Sequence, residues 1–274
     1  MTKTLLTTLS YSAGRQSHRL AMGILRGEIS VPEHFLLLAA DPGNEHKDTV
    51  RIRNQTIERF LAAGYWAMVA PGPQMLDDLR ERRLEGRTSI DNAAYWNEGG
   101  GRQMQKCTRH YKIRPMRRVI RQFVQRVHGV KVPPPGSVQT WIGFTFDERH
   151  RCKPSDVKYE QPHYPLIELG ETKQDVLDWY EKTGVELPPP SVCNHCWANG
   201  TETFKRISET DQQGWERAKQ FDRESRDMTQ FGIKRPCYCS RTLASLDDLE
   251  KKGFAVGNAA DAAELSCDSG MCFI

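Results

Sequence analysis

The segment Ser10-Tyr11-Ser12-Ala13-Gly14-Arg15-Gln16-Ser17 combines small residues, hydroxyls and an amide. It follows a β-prone run, Thr4 to Leu9, and precedes a helix-compatible stretch, His18 to Leu25. Small residues let backbone N–H groups close on an anion, hydroxyls add donors, and a helix N-terminus adds roughly half a positive charge. The expected chemistry is phosphate binding. No Gly-Lys-Ser/Thr is present, so this is not the common nucleotide P-loop, and the competing reading is an ordinary strand-to-helix turn. A second chemical set is sulfur: the chain has 8 cysteines, and Cys193 and Cys196 have metal-ligand spacing. In a reducing compartment that usage favours metal or redox chemistry over a disulfide framework. A third is charge. Between Gly99 and Phe146 no acidic residue occurs, while Arg102, Lys106, Arg109, Lys112, Arg114, Arg117, Arg118, Arg121, Arg126 and Lys131 all fall there. Such a block suits nucleotide phosphates or a nucleic-acid backbone, the alternative being a solvated helix face.

Bulk properties limit the context for this chemistry. The 274 residues allow one large α/β domain, or a domain plus an appendage, and two compact independent domains would be a tight fit. With 27% charged and 38% apolar residues the chain has the balance of a globular protein, and no apolar run approaches the ~20 residues of a membrane span. The opening Met-Thr-Lys-Thr-Leu-Leu is too short for a secretory h-region, so a cytoplasmic location and no membrane partner are expected.

The elements that must position these groups alternate between strand and helix. His34 to Ala40 is a continuous apolar run suited to a parallel strand buried on both faces. It ends in Asp41-Pro42-Gly43-Asn44-Glu45, followed by a helical pattern from about Asp48 to Ala63 and a third strand, Tyr65 to Val69. This alternation predicts a doubly wound parallel sheet whose ligands lie beyond the carboxyl ends of its strands, so the 10–17 and 41–45 loops share that edge. Residues 71–101 read as irregular. Met116, Val119, Ile120, Phe123, Val124 and Val127 form a core stripe at helical spacing, with Arg114, Arg117, Arg118 and Arg121 on the other side. Pro133 to Gly136 breaks the chain, Val138 to Phe146 resumes a strand, and a helix spans Lys173 to Thr183. After Pro188-Pro189-Pro190 composition shifts to Cys-rich and polar, with a helix near Gly214 to Asp227 and a loose C-terminal tail. The predicted organisation is an α/β nucleotide-binding domain over 1–190 and a Cys-rich extension over 191–274 packed on it.

Four separated motifs carry a family resemblance. The 10–17 loop resembles the PP-loop of ATP pyrophosphatases in its phosphoadenosine-phosphosulfate (PAPS) reductase-like form, Ser-Phe-Gly-Gly-Gly-x-Gln-Ser, with Ser12 and Ala13 replacing two glycines. Ala40-Asp41-Pro42-Gly43-Asn44-Glu45, with Thr49 downstream, resembles Ala-Asp-Thr-Gly-Asn-Glu…Thr. Cys107-Thr108-Arg109-His110-Tyr111-Lys112-Ile113-Arg114-Pro115-Met116 resembles Cys-Thr-x-x-Tyr-Lys-Ile-x-Pro-Ile. Trp141 to Arg151 resembles Trp-x-Gly-x-x-x-Asp-Glu-x-x-Arg, followed by Tyr164-Pro165-Leu166. Together they cover roughly residues 5–230 in the expected order. Segments Ser191 to Cys196 and Cys267 to Cys272 resemble the ends of related phage and bacterial proteins.

The resemblance implies an adenine nucleotide alpha hydrolase-like fold that binds ATP with Mg²⁺. Ser10, Ser12, Gly14, Gln16 and Ser17 would form the phosphate nest, and Lys112, Arg149 and Arg151 would supply cations, the alternative for the arginines being surface ion pairs. Asp41 would orient the nucleotide or Mg²⁺, unless it is a helix N-cap. Asp147 and Glu148 are candidate acid/base groups whose alternative role is to pair with Arg149 or Arg151. Cys107 falls where sulfonucleotide reductases place a cluster cysteine. With Cys193, Cys196 and a fourth thiol, Cys267, Cys272, Cys237 or Cys239, it would hold a [4Fe-4S] cluster. Structural Zn²⁺ on Cys193, Cys196, Cys237 and Cys239, or thiols without metal, are the alternatives, and His195 is expected to be an exposed bystander. Three functions remain open. One is ATP-dependent adenylylation of a substrate, tRNA or DNA, for sulfur transfer, with a cysteine desulfurase or another sulfur donor as partner. The second is a PAPS or adenylylsulfate reductase, although the tail lacks a Glu-Cys-Gly-type motif. The third is a non-catalytic nucleotide- or nucleic-acid-binding accessory protein.

Overall fold

The computed structural model describes residues 3–90, 93, 95–98, 101–103 and 105–255. Cys267, Cys272 and the expected loose tail lie outside the described residues. The chain divides into two compact units. The first takes the chain up to residue 40 with 48–71 and 114–191, and the second takes 41–47, 72–113 and the chain from 192 onward. One passage between the units falls between Ser191 and Val192. The second unit is nevertheless not a simple C-terminal extension, because two earlier segments contribute to it.

In chain order the elements are β1 (Leu6–Tyr11), α1 (Arg15–Leu25), β2 (Phe35–Ala40), α2 (Lys47–Ala62), β3 (Trp66–Ala70), α3 (Met75–Leu84) and β4 (Trp96–Asn97). A π-helical turn, Thr108–Ile113, leads into α4 (Arg114–His128), β5 (Val138–Trp141), a 3₁₀ turn Phe146–Arg151 and β6 (Glu160–His163). Then come α5 (Pro165–Glu168), α6 (Lys173–Thr183), α7 (Thr201–Thr210), α8 (Gln212–Glu224), β7 (Cys237–Tyr238) and α9 (Leu246–Lys251).

The first unit is built on a five-stranded parallel sheet in the order β3-β2-β1-β5-β6. All six residues of β2 are buried, as a central parallel strand covered on both faces requires. Leu9, Tyr11, Phe35, Leu37 and Ala39 pack with Ile52 and Phe60 of α2, with α1, and with Val176 and Tyr180 of α6. Leu6, Leu36, Leu38 and Val138 point the other way and meet Val119, Ile120 and Val124 of α4. Helices thus cover both faces, and the sheet is doubly wound. Hydrogen bonds define each end of α6: Thr172 and Asp175 form a capping box, and Gly184 takes the left-handed conformation (φ 66°) at the C-cap.

The second unit departs most from the sequence expectation. Residues 71–101, read as irregular, contain α3 and β4. Helix α3 has little amphipathic pattern, but Asp77 and Asp78 in its first turn and Arg82 and Arg83 in its last complement the helix dipole. Asp78 accepts the Tyr111 hydroxyl at 2.6 Å and pairs with Arg82 at 2.8 Å, which anchors the π-helical turn. The core of this unit gathers Met75, Leu79, Tyr95, Tyr111, Phe204, Ile207, Trp215 and Phe221. Strand β5 is also shorter than expected: after Trp141 the chain turns at Gly143 and enters the 3₁₀ segment, whose Thr145–Glu148 capping box ends the extended run.

One buried polar chain ties the first helix to the sheet. His18 Nδ1 is 2.9 Å from the Tyr11 hydroxyl, which donates to Thr56 Oγ1 at 2.9 Å, which donates in turn to Ile52 O at 2.8 Å. With the Tyr11 proton committed to Thr56, His18 Nδ1 is the donor to Tyr11. Burial lowers the His18 pKa to about 4, and neighbouring Arg59 reinforces the shift. Between pH 6.5 and 4 the unfolded chain therefore binds a proton that the folded chain refuses. Stability rises with pH across that window and is lost as pH falls, by up to about 3 kcal/mol. Chemical denaturation at pH 4.5 and 7 should show a markedly smaller pH difference for His18→Asn than for the parent; an equal difference would exclude His18 as its source.

Candidate active site: a phosphate turn and a thiol centre

The loop expected to bind phosphate is shorter than its motif. Ser10 and Tyr11 belong to β1, with Ser10 in register with Leu38 of β2, and only Ser12, Ala13 and Gly14 form the turn before α1 begins at Arg15. Ser12 N–H donates to Ser17 Oγ at 3.3 Å, the two hydroxyls are 3.1 Å apart, and Ser17 Oγ donates to Gly14 O at 3.2 Å. Ser12 Oγ accepts from Gly14 N–H at 3.4 Å, and Ser12 O accepts from Ser191 Oγ at 2.7 Å. The hydroxyls therefore shape the turn. Gly14 sits at the N-cap with no side chain to close the helix, and no acid stands in the first turn. The opening N–H groups of α1 have no intrahelical acceptors, which is the arrangement an anion needs.

Two backbone details explain how this turn is held. Ala13 is buried with φ 55°, in the left-handed region normally given to glycine. A non-glycine residue thus makes the left-handed turn, at a cost of about 1 kcal/mol. Gly143, where the chain leaves β5, leaves no room for a side chain: a Cβ there would sit 2.8 Å from Ser17 N and 3.0 Å from Gln16 C. Gly143 was part of a recognised motif, but only this close approach shows its role.

The expected cations separate. Arg151 is buried and ion-paired with Glu148 Oε1 at 2.5 Å, its guanidinium 4.0 Å over the Phe144 ring. Glu148 Oε2 accepts from Gln16 Nε2 at 3.4 Å and from Thr145 N–H and Oγ1. Glu148 thus connects Gln16 of the phosphate helix to Arg151. Arg149 is exposed over the Phe146 ring at 4.7 Å, and Asp147 accepts from Lys173 N–H at 3.2 Å, at the start of α6. Asp41 follows β2 and closes an Asx turn by accepting Gly43 N–H at 2.9 Å, so it is not a helix N-cap.

Lys112 belongs to the second unit, where it meets the thiols. Its ammonium lies 3.5 Å from Glu45 Oε1, both largely buried. Burial alone would lower its pKa, but Glu45 and then Cys193, Cys107 and Cys196 outweigh this and hold it above the ordinary lysine value. Burial pushes the Cys193 thiol well up, Lys112 opposing and Glu45, Cys196 and Cys107 reinforcing. Cys107 is raised the same way, chiefly by burial. Three thiols thus share one electrostatic neighbourhood around Lys112. Backbone bonds fold the 193–199 turn tightly: Asn194 N–H to Asn44 O at 2.8 Å, Cys196 N–H to Cys193 O at 3.0 Å and Asn199 N–H to Cys196 O at 3.0 Å.

His195 is buried, not exposed: its Nδ1 lies 3.1 Å from Asn44 Nδ2 and its ring stacks on Phe221 at 3.9 Å. Burial lowers its pKa to about 3, so it stays neutral. Asp211 was missed. It accepts from Lys47 N–H, Gly214 N–H and Asn194 Nδ2, and so pins the Cys-bearing turn to α8. An Asp immediately before the first residue of α8, three residues ahead of Gly214, was the available N-cap signal.

Among the described residues no three His, Cys, Asp or Glu converge as a single ion would require. A zinc ion would draw its sulfurs to within about 4 Å of one another. The four-thiol zinc set, Cys193, Cys196, Cys237 and Cys239, is likewise not gathered around one point, with Cys237 facing Asn97 Nδ2 at 3.5 Å. A cubane takes each thiolate on a different iron, so its ligands need not surround one point, and three thiols of which Cys196 is buried and Cys107 and Cys193 are half-buried are of the ligand type it uses.

The sheet defines the class as a doubly wound α/β protein, with an uncapped helix N-terminus at the end of its central strand. No family model matches the chain, and no curated protein sequence does. Among solved structures, U34-tRNA thiolase NcsA from Methanococcus maripaludis with its [4Fe-4S] cluster aligns with a TM-score of 0.38 and 11% identity, covering 81% of this chain and 72% of that chain. A superposition that loose leaves the function to be argued from the residues.

Gly143→Ala should force the phosphate turn apart, because the obstructing atoms are backbone; a stability loss of about 2 kcal/mol or more is expected in urea unfolding. Ala13→Gly should instead be neutral to stabilising by up to about 1 kcal/mol, the relief of the left-handed alanine outweighing the glycine entropy. A destabilised Ala13→Gly would mean that the alanine methyl packs better than its backbone suffers.

Proposed function

We propose that the protein is a PP-loop ATP pyrophosphatase of the PAPS reductase-like family that adenylylates nucleic acid for sulfur transfer. What carries this reading is that one chain supplies both an uncapped helix N-terminus at the end of β1 and three thiols, Cys196 buried and Cys107 and Cys193 half-buried, in the electrostatic neighbourhood of Lys112. The first-turn N–H groups of α1, with Ser12 and Ser17 shaping them, take the triphosphate, and Gln16 and Arg151, joined through Glu148, flank it. Arg149 is the exposed second cation, and Asp41 orients Mg²⁺ or the nucleotide. An acceptor oxygen attacks the α-phosphorus, the bond to pyrophosphate breaks, and the acceptor carbon now carries an AMP leaving group. A sulfur donor then supplies sulfide; a C–S bond forms as the C–O bond to AMP breaks.

Cys107, Cys193 and Cys196 would hold a [4Fe-4S] cluster, with Cys267, outside the described residues, as a candidate fourth ligand. When bound, it supplies a Lewis-acidic iron that can carry sulfur. Lys112 and Glu45 hold a balanced pair of charges beside those thiols. The exposed arginines of α4 take the phosphates of the acceptor.

Anaerobically purified protein should absorb broadly in the blue-violet and contain roughly four irons per chain, lost in Cys193→Ser. Stoichiometric zinc without iron, unchanged by Cys107→Ala, would overturn the cluster. Calorimetry should show ATP binding that Gly14→Asp abolishes, by setting a carboxylate against the phosphates, while thermal melting confirms the variant is folded. Unchanged affinity would remove the turn from the site. With ATP, sulfide and bulk tRNA or DNA, formation of AMP and pyrophosphate should depend on the nucleic acid.

A further inference from the structure

The basic helix divides into committed and available cations. Arg117, expected among the phosphate-binding residues, is not available: it pairs with Asp156 at 2.5 Å and Glu160 at 2.8 Å and donates to Ser155. Arg118, Arg121 and Arg126 are exposed and form no ion pair among the described residues. They span roughly 12 Å of helix, with no acid on α4 to oppose them.

Helix α4 runs back along the sheet, because His128 at its end lies 2.8 Å from Leu5 O, just before β1. Its last turn therefore lies at the edge of the sheet opposite the phosphate turn. There, edge strand β3 exposes Trp66 (43%) and Met68 (38%) on the face that α4 covers. The Trp66 ring is braced against Phe123 of α4 at 4.8 Å, edge to face, and against His34 at 6.0 Å. Arg126 lies one helical turn beyond Phe123, on the neighbouring position of the same side. An exposed, braced indole next to Arg126, on a helix whose exposed side also carries Arg118 and Arg121 and no acid, has the composition of a stacking platform on an electrostatic track. A duplex keeps its bases stacked inside and can offer only phosphates to such a surface.

We infer that unit one binds nucleic acid as a single strand or unpaired loop laid along α4, with one base stacked on Trp66. This rests on the nucleic-acid reading above and specifies the form of the acceptor. The cations supply sequence-independent affinity, and Trp66 supplies the preference for unpaired bases.

The test uses fluorescein-labelled 12-nucleotide RNA and DNA, single-stranded and as duplexes, at low and high salt. Trp66→Ala should weaken single-strand binding roughly ten- to hundred-fold and leave duplex binding unchanged, and Trp66→Phe should restore most of the loss. Arg118→Ser with Arg121→Ser should weaken both forms and make the salt dependence shallower by about two units of slope. Thermal melting checks that each variant folds. If Trp66→Ala leaves single-strand affinity intact while the arginine variant lowers it, the base-stacking inference fails alone. If the parent binds neither form at low salt, the nucleic-acid reading fails with it. A parent that dimerises in sedimentation, with Trp66→Ala monomeric and binding as before, would make the patch a self-interface and overturn the inference.

Discussion

The first unit depends on one close approach: the backbone of Gly143 against the opening residues of α1. Parallel neighbours β1 and β5 fix the two chain exits side by side. Only the absence of a Cβ at position 143 lets the segment leaving β5 press on Gln16 and Ser17. From that contact the 3₁₀ turn is launched, which buries Glu148 and Arg151 and brings Glu148 to the Gln16 amide. The Ser12–Gly14 turn, the buried Arg151 and the Glu148 carboxylate between Arg151 and Gln16 are thus consequences of sheet register and one missing methyl group. The left-handed Ala13 is stable in this setting because the hydrogen bonds of Ser12, Ser17 and Ser191 over-determine the turn.

The legible parts of this chain were those whose signal is local. The apolar run of β2 and the helical stripe of α4 declare both period and burial, and strand-helix alternation leaves little choice but a parallel sheet. Helix α3 did not declare itself, because its residues are mostly charged and its stability comes from Met75, Leu79 and the buried Asp78, contacts made by distant segments. The 3₁₀ turn escaped for the opposite reason. Val138 to Phe146 is apolar enough to read as strand throughout, and the capping box that ends it depends on Glu148, three residues after Thr145.

At the site, residue types were legible and pairings were not. Lys112 and Arg151 both sit in recognisable motifs, yet one meets thiols and Glu45 and the other a carboxylate tied to the phosphate helix. Their division follows from the chain passing between units at 113/114, a junction that composition does not mark. Arg117 shows the same limit. Spacing put it on the polar side of α4, but it lies at the margin where Glu160 of β6 can reach it, whereas Arg118 and Arg121 point clear.

The thiol centre has its own electrostatic logic. Desolvation raises Cys107 and Cys193, and Glu45 raises Cys193 further; Lys112 opposes both shifts without reversing them. Burial favours the neutral thiols there, and added positive charge would favour their thiolates. Binding a cationic group there would release protons and gain strength as pH rises. The Asp211 contacts fasten the Asn194 turn through Lys47 N–H and the start of α8, and so help to fix the backbone that carries Cys193 and Cys196.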